Sequence, residues 1–156
     1  MNTITEITMH DALPLMRETL NAGAPLRITA HGTSMRPLLR GGEEVELISP
    51  PARLRRYTMA FYIRSSGSFV LHRVAKVHRD GTYTMCGDNQ IGLESGIAHR
   101  QILGVVTRFQ SDGSWISTDN PAYRAYARRR VRSRAWRVLW GKLYRWYKRG
   151  KRREES

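Results

Sequence analysis

The chain has 156 residues, 40% of them hydrophobic, with one cysteine and a formal net charge of +14; that length suits one domain with a modest core, and a single cysteine excludes an intramolecular disulfide, as befits a reducing compartment. No stretch approaches the ~18 consecutive apolar residues of a membrane span, and the start, MNTITEITMHDALPLM, has no basic segment leading into an apolar run, so no secretory signal is expected and the body of the protein is expected in the cytoplasm or on the inner membrane surface. The charge is lopsided: residues 123–156 carry 14 Lys and Arg against 2 Glu, whereas the rest carries 13 basic and 11 acidic residues, so the tail implies an anionic partner, lipid or nucleic acid.

Residues 10–22, HDALPLMRETLNA, place Leu13, Met16 and Leu20 at helical spacing, with Leu15 beside them. Asp11 can cap this helix, Pro14 is tolerated in a first turn and Gly23 can end it. From 26 to 110 the pattern becomes β: LRITAH, EEVELI, MAFYIR, SFVLHRVAKV, GTYTMCG and ILGVVTRF are short, partly alternating runs separated by RGG, SSG, RDG and GDN. RDGT is a hairpin signal. Residues 111–120, SDGSWISTDN, read as a linker, and Asn120-Pro121 as a helix start. From Pro121 to Arg149 a long basic helix is predicted, its arginines interleaved with Trp136, Val138, Leu139, Trp140, Leu143, Tyr144, Trp146 and Tyr147. Arg beside Trp and Tyr is the composition of a helix lying in a membrane interface; an Arg-rich helix also suits a phosphate backbone, and one docked stripe on the domain is a third use.

The stretch with most chemistry is Gly32-Thr33-Ser34-Met35-Arg36-Pro37-Leu38-Leu39. A serine between small residues and a Met-x-Pro turn can be presented on a loop, but its hydroxyl is a poor nucleophile until a base takes its proton. Histidine suits that role. His10, His31, His72, His78 and His99 are all candidates, and spacing does not choose among them. His72 lies in the strand-like run Val70-Leu71-His72-Arg73-Val74. Lys76 is a further candidate base. Cys86 reads as a buried thiol. His72, His78 and Cys86 match no known ligand spacing, so no metal is expected, nor any cofactor.

Gly32-x-Ser34-Met35-x-Pro37-Leu38-Leu39 resembles the serine motif of type I signal peptidases and of LexA-like self-cleaving repressors. Leu71-His72-Arg73-Val74 is similar to the second motif of the archaeal and endoplasmic-reticulum signal peptidases, whose base is histidine; bacterial type I enzymes have a lysine there. Gly87-Asp88-Asn89 resembles the third motif, and Ile102-Leu103-Gly104-Val105-Val106 the strand that follows it. The four motifs occur in the family's order over residues 32–106. The chain also looks like a group of small bacterial proteins of this superfamily with a short N-terminal helix, a β domain and a basic C-terminal segment.

The resemblance implies a mainly β signal-peptidase-like fold over 1–110 with the N-terminal helix, a linker at 111–120 and the basic amphipathic helix and tail at 121–156. It implies a serine endopeptidase acting on a leader-like peptide or preprotein, with Ser34 as nucleophile and His72 as general base. Asp88 carries over as the acid that orients His72 or holds Arg73. Glu94 is the only nearby acid that could replace the aspartates the eukaryotic-type enzymes have after the Gly-Asp-Asn turn. Gly32 stands where many bacterial enzymes have an oxyanion-hole hydroxyl, so backbone N–H groups of residues 32–34, with Thr33 as a lesser donor, must serve. Met35 shapes the loop; Gly87 and Asn89 support it. The rival functions are a catalytically silent peptide-binding module of the same fold and a LexA-like regulator. The latter is disfavoured because residues 1–25 hold one helix, too few for a helix-turn-helix.

Overall fold

Why an apolar run becomes a strand buried on both faces is seen best at Met59–Ile63, where Met59 and Phe61 enter one apolar cluster and Ala60 and Tyr62 another. Successive side chains on a strand point to opposite faces, so this segment sits between two cores. The structure, a computed structural model, describes residues 9–134 and 136–139. It begins with α1 (Met9–Asn21), followed by β1 (Leu26–Thr29), β2 (Glu44–Ile48), β3 (Met59–Ile63), β4 (Phe69–Val77), β5 (Tyr83–Cys86), β6 (Glu94–Ile97), β7 (Ile102–Ser111), β8 (Ser114–Ser117) and α2 (Pro121–Arg132).

All strand pairs are antiparallel, in the order β1-β2-β7-β3-β4-β5-β6, with β8 also on β7. Val105 pairs with both Ile48 and Ala60, and Arg108 with both Glu46 and Ser117. So β2 takes one edge of β7, while β3 and then β8 share the other. The mainly β expectation is met in this form. The RDGT hairpin joins β4 to β5, with Gly81 at φ 83° supplying the left-handed turn residue.

Helix α1 buries Met16 and Leu20 against the first cluster and leaves Leu15 exposed. Met9 and His10 are already helical, so Asp11 lies within the helix and Pro14 deeper inside it rather than in its first turn. Residues 111–120, read as a linker, instead hold the end of β7 and all of β8. The polar composition that suggested a linker is that of a two-residue hairpin turn, Asp112-Gly113, on a sheet edge.

Asn120 caps α2 as its sequence suggests, its side-chain oxygen accepting the N–H of Ala122 at 2.8 Å and of Tyr123 at 3.4 Å. Tyr123 and Ala127 are buried in the first cluster, beside Phe109 and Val106. The start of the basic segment is thus part of the folded domain. Residues 134 and 136–139 are also helical; the rest of the expected basic helix and its tail, residue 135 and residues 140–156 with Trp140 and Trp146, lies outside the described residues. Among the described residues, no helix is long and apolar enough to cross a membrane.

Candidate active site

Ser34 sits on the loop between β1 and β2. Met35 and Leu39 flank it as buried anchors, tied by the bond from the Leu39 N–H to the Met35 oxygen at 3.1 Å. Between them and exposed Gly32 and Thr33, Ser34 is left half-buried. The loop rests on the Gly87-Asp88-Asn89 turn. The Asn89 backbone N–H donates to the Ser34 carbonyl oxygen at 2.8 Å, and the Asn89 amide donates to the Thr33 oxygen at 3.3 Å. Gly87 approaches so closely that a Cβ there would stand 2.7 Å from the Ser34 oxygen.

His72 lies on β4 opposite Ala60 of β3 and is 3% exposed. Ser34 and His72 line one cavity of about 220 Å³, shared with Gly32, Met35, Leu71 and Gln90. His72 also lines a second hollow of about 490 Å³, rimmed by exposed Ile91 and Leu93. Arg64, His72 and Gln90 line both, so the two hollows adjoin at the imidazole and together make a groove-like face on either side of it. Pairing of β4 with β5 begins at Arg73; residues 69–72, beside the groove, therefore have β3 on one edge and no strand on the other among the described residues.

The hydrogen bonds around His72 determine its tautomer. The Tyr62 hydroxyl donates to Glu94 Oε2 at 2.8 Å, and its oxygen lies 3.3 Å from His72 Nδ1. Glu94 is also gripped by Arg64, whose Nε and Nη2 reach it at 2.9–3.0 Å. Burial opposes ionisation of Glu94, but the bonds from Arg64 and Tyr62 outweigh it and hold the carboxyl below its usual range. A carboxylate only accepts, so the single phenolic proton of Tyr62 is committed to Glu94. Its oxygen is then the acceptor for His72, whose Nδ1 carries the proton. That leaves Nε2 as a bare lone pair, the form a general base requires. Burial, then the Arg64 charge, lower the imidazole pKa to about 4, against the opposing pull of Glu94 and Asp88; the ring is neutral at neutral pH.

Asp88 serves the other of its two implied roles: it holds Arg73. Arg73 is wholly buried and donates through Nε and Nη2 to the two Asp88 oxygens at 2.8 and 2.7 Å. Its Nη1 donates to the Tyr57 carbonyl and to Tyr123 Oη. The Tyr126 hydroxyl adds a third donor to Asp88 at 3.0 Å. The reason is strand geometry. His72 and Val74 point to the Tyr62 face of β4, and Arg73 to the Tyr123 face. Asp88, paired with Arg73, is on the far side of the strand from the imidazole and reaches it only as a charge.

Lys76 is exposed and does not line the cavity that holds Ser34. Of the other histidines, only His31 lines it, and His31 is exposed with no bond to fix its ring among the described residues. His10 packs on Phe69, His78 bonds Thr84, and His99 bonds Tyr83. Cys86 is buried, which pushes its thiol pKa up.

Sequence reasoning passed over Tyr62, Arg64 and Gln90. Tyr62 lies in an apolar run where its ring alone explains its presence, and nothing local says that its hydroxyl meets His72 across a strand pair. Comparison with protein-family models, with curated proteins and with solved structures finds no match for this chain.

Proposed function

We propose that this chain is a serine endopeptidase of the signal-peptidase type, with Ser34 as nucleophile and His72 as general base. One observation carries the reading: Ser34 and a buried, neutral His72 line the same cavity, and the Nδ1 proton of His72 is engaged by Tyr62, so that Nε2 remains to accept a proton. His72 Nε2 takes the Ser34 proton as Oγ attacks a peptide carbonyl, and the carbonyl π pair moves to its oxygen. The turn bonds of the serine loop use the N–H groups of Arg36 and Leu39, leaving those of residues 32–34 to meet the oxyanion. The tetrahedral adduct expels the amine, which receives the proton from His72; water then releases the acyl group by the same route.

An extended peptide is the substrate class, because residues 69–72 offer an open strand edge beside the groove, the kind of edge on which a peptide adds as a further strand. The partner of the basic segment is an anionic membrane surface, on the cytoplasmic side. Arg128, Arg129 and Arg132 lie exposed on one helix face with Trp136, which is 66% exposed, and that pairing of guanidinium with indole suits headgroups more than bases.

The test is intact-mass analysis of leader-like peptides incubated with the full chain and with Ser34→Ala. The parent should cut and the variant should not. A folded Ser34→Ala protein that cuts as fast as the parent overturns the reading; a parent that binds these peptides without cutting them makes the chain a silent binding module.

A further inference from the structure

We propose that Tyr62 and Glu94 are positioning residues for His72, joined in a relay in which a phenol stands between the imidazole and its carboxylate. This rests on the reading of Ser34 and His72 as nucleophile and base.

A general base of this kind needs a partner on Nδ1 that fixes the tautomer, aims Nε2 and stabilises the imidazolium formed on attack. Among the described residues no carboxylate touches His72 directly, and Asp88 is occupied by Arg73 across the strand. The polar atom at Nδ1 is Tyr62 Oη, on a residue with no exposed surface. A buried tyrosine hydroxyl needs some partner in any case, but here the identity of the partner decides what the oxygen can do. Glu94 takes the phenolic proton at 2.8 Å, so the oxygen can only accept from His72. Glu94 is in turn held by the forked guanidinium of Arg64. The chain Arg64–Glu94–Tyr62–His72 is therefore polarised in one direction, toward an Nδ1-protonated ring. One proton moves in the reaction, from Ser34 Oγ to His72 Nε2; Tyr62 keeps its own, and Glu94 stays ionised to oppose the new positive charge.

Removing the phenolic oxygen while keeping the ring isolates this role from packing. In the parent, the ring-nitrogen NMR shifts of His72 near neutral pH, assigned by comparison with His72→Gln, should show the Nδ1-protonated tautomer. Tyr62→Phe should shift the ring away from that tautomer and lower kcat on a cleaved peptide by at least about 100-fold, toward the ~10⁴-fold loss that a wrong histidine tautomer causes in a serine–histidine site, with KM little changed. Glu94→Gln, which keeps the side-chain shape but removes the charge, should lower kcat in the same direction. A folded Tyr62→Phe protein with the parent's His72 tautomer and kcat overturns the relay. Ser34→Ala, run alongside, keeps the two ideas apart: normal cleavage by that variant removes the peptidase reading, whereas the tautomer measurement still reports on the relay by itself.

Discussion

The carbonyl oxygen of Ser34 accepts the backbone N–H of Asn89 at 2.8 Å, so the serine loop and the Gly-Asp-Asn turn are one structural unit. The turn is itself anchored from behind. Arg130 Nε and Arg137 Nη1 donate to the Asp88 carbonyl at 2.9 and 2.8 Å, while the Asp88 carboxylate grips Arg73. The position of Ser34 thus depends on contacts made by residues far along the chain and far from the hydroxyl.

Gly87→Ala should damage the site more than the fold. The added Cβ would meet the Ser34 oxygen at 2.7 Å and the Gln90 side chain at 3.0 Å, and the loop must move to admit it. Overpacking of this kind costs about 1–3 kcal/mol. Urea denaturation should show a loss in that range, and peptide cleavage should fall at least about 10-fold, as expected when a reacting group is displaced.

The depressed His72 pKa makes stability depend on pH. The folded imidazole titrates at about 4 and the unfolded one at 6.5, so below 6.5 the unfolded chain takes up a proton that the native state refuses. This contribution is complete above 6.5 and is lost as pH falls toward 4, by at most about 3 kcal/mol. Urea midpoints measured from pH 8 to pH 4 should fall more steeply for the parent than for His72→Gln. The acid limb of kcat/KM should lie well below 6.5.

The Arg73–Asp88 pair should behave as a buried ion pair does. Asp88→Asn leaves the Arg73 charge uncompensated at a wholly buried site, and removing one partner of such a pair costs about 3–5 kcal/mol. Arg73→Met should cost a similar amount, and the double variant Arg73→Met/Asp88→Leu less than the sum of the singles. Thermal or urea unfolding of the three proteins checks this; additive losses would mean that the two side chains do not act as a pair.

Truncation after Asp119 should unfold or severely weaken the domain, although the sequence suggests a separable tail. It removes Tyr123 and Ala127 from the core, and with them the Tyr123 and Tyr126 hydroxyls that contact Arg73 and Asp88. Circular dichroism and urea titration of the truncated chain will decide; a stable, cooperative fold would show that α2 is dispensable.

Membrane binding is better tested by charge reversal than by truncation. Arg129→Glu/Arg132→Glu alters two exposed side chains of α2. At about 1 kcal/mol per basic residue near an anionic surface, co-sedimentation with anionic vesicles should weaken at least about 10-fold, while neutral vesicles should bind neither protein strongly. Equal loss on short DNA, with no effect on vesicles, would assign the tail to nucleic acid.

Local information in the chain was enough for several features. Apolar alternation and turn residues locate six of the eight strands, all but the short β6 and β8, Asn120-Pro121 marks the start of α2, and Ser34, His72 and the Gly87-Asp88-Asn89 turn stand out as polar or conformationally special residues in chemically telling surroundings. These features are legible because periodicity, capping and turn chemistry act over a few residues. Which acid serves which base is not local. Asp88 and Glu94 both follow His72 in the chain, and only the pleat of β4, which turns His72 toward Tyr62 and Arg73 toward Tyr123, puts Glu94 on the hydroxyl of the tyrosine beside the imidazole and Asp88 on the guanidinium. The same holds for residues 111–120 and Tyr123. Polar composition alone does not distinguish a linker from an edge hairpin, and a tyrosine in a basic helix becomes a core residue only because β7 places Phe109 beneath it.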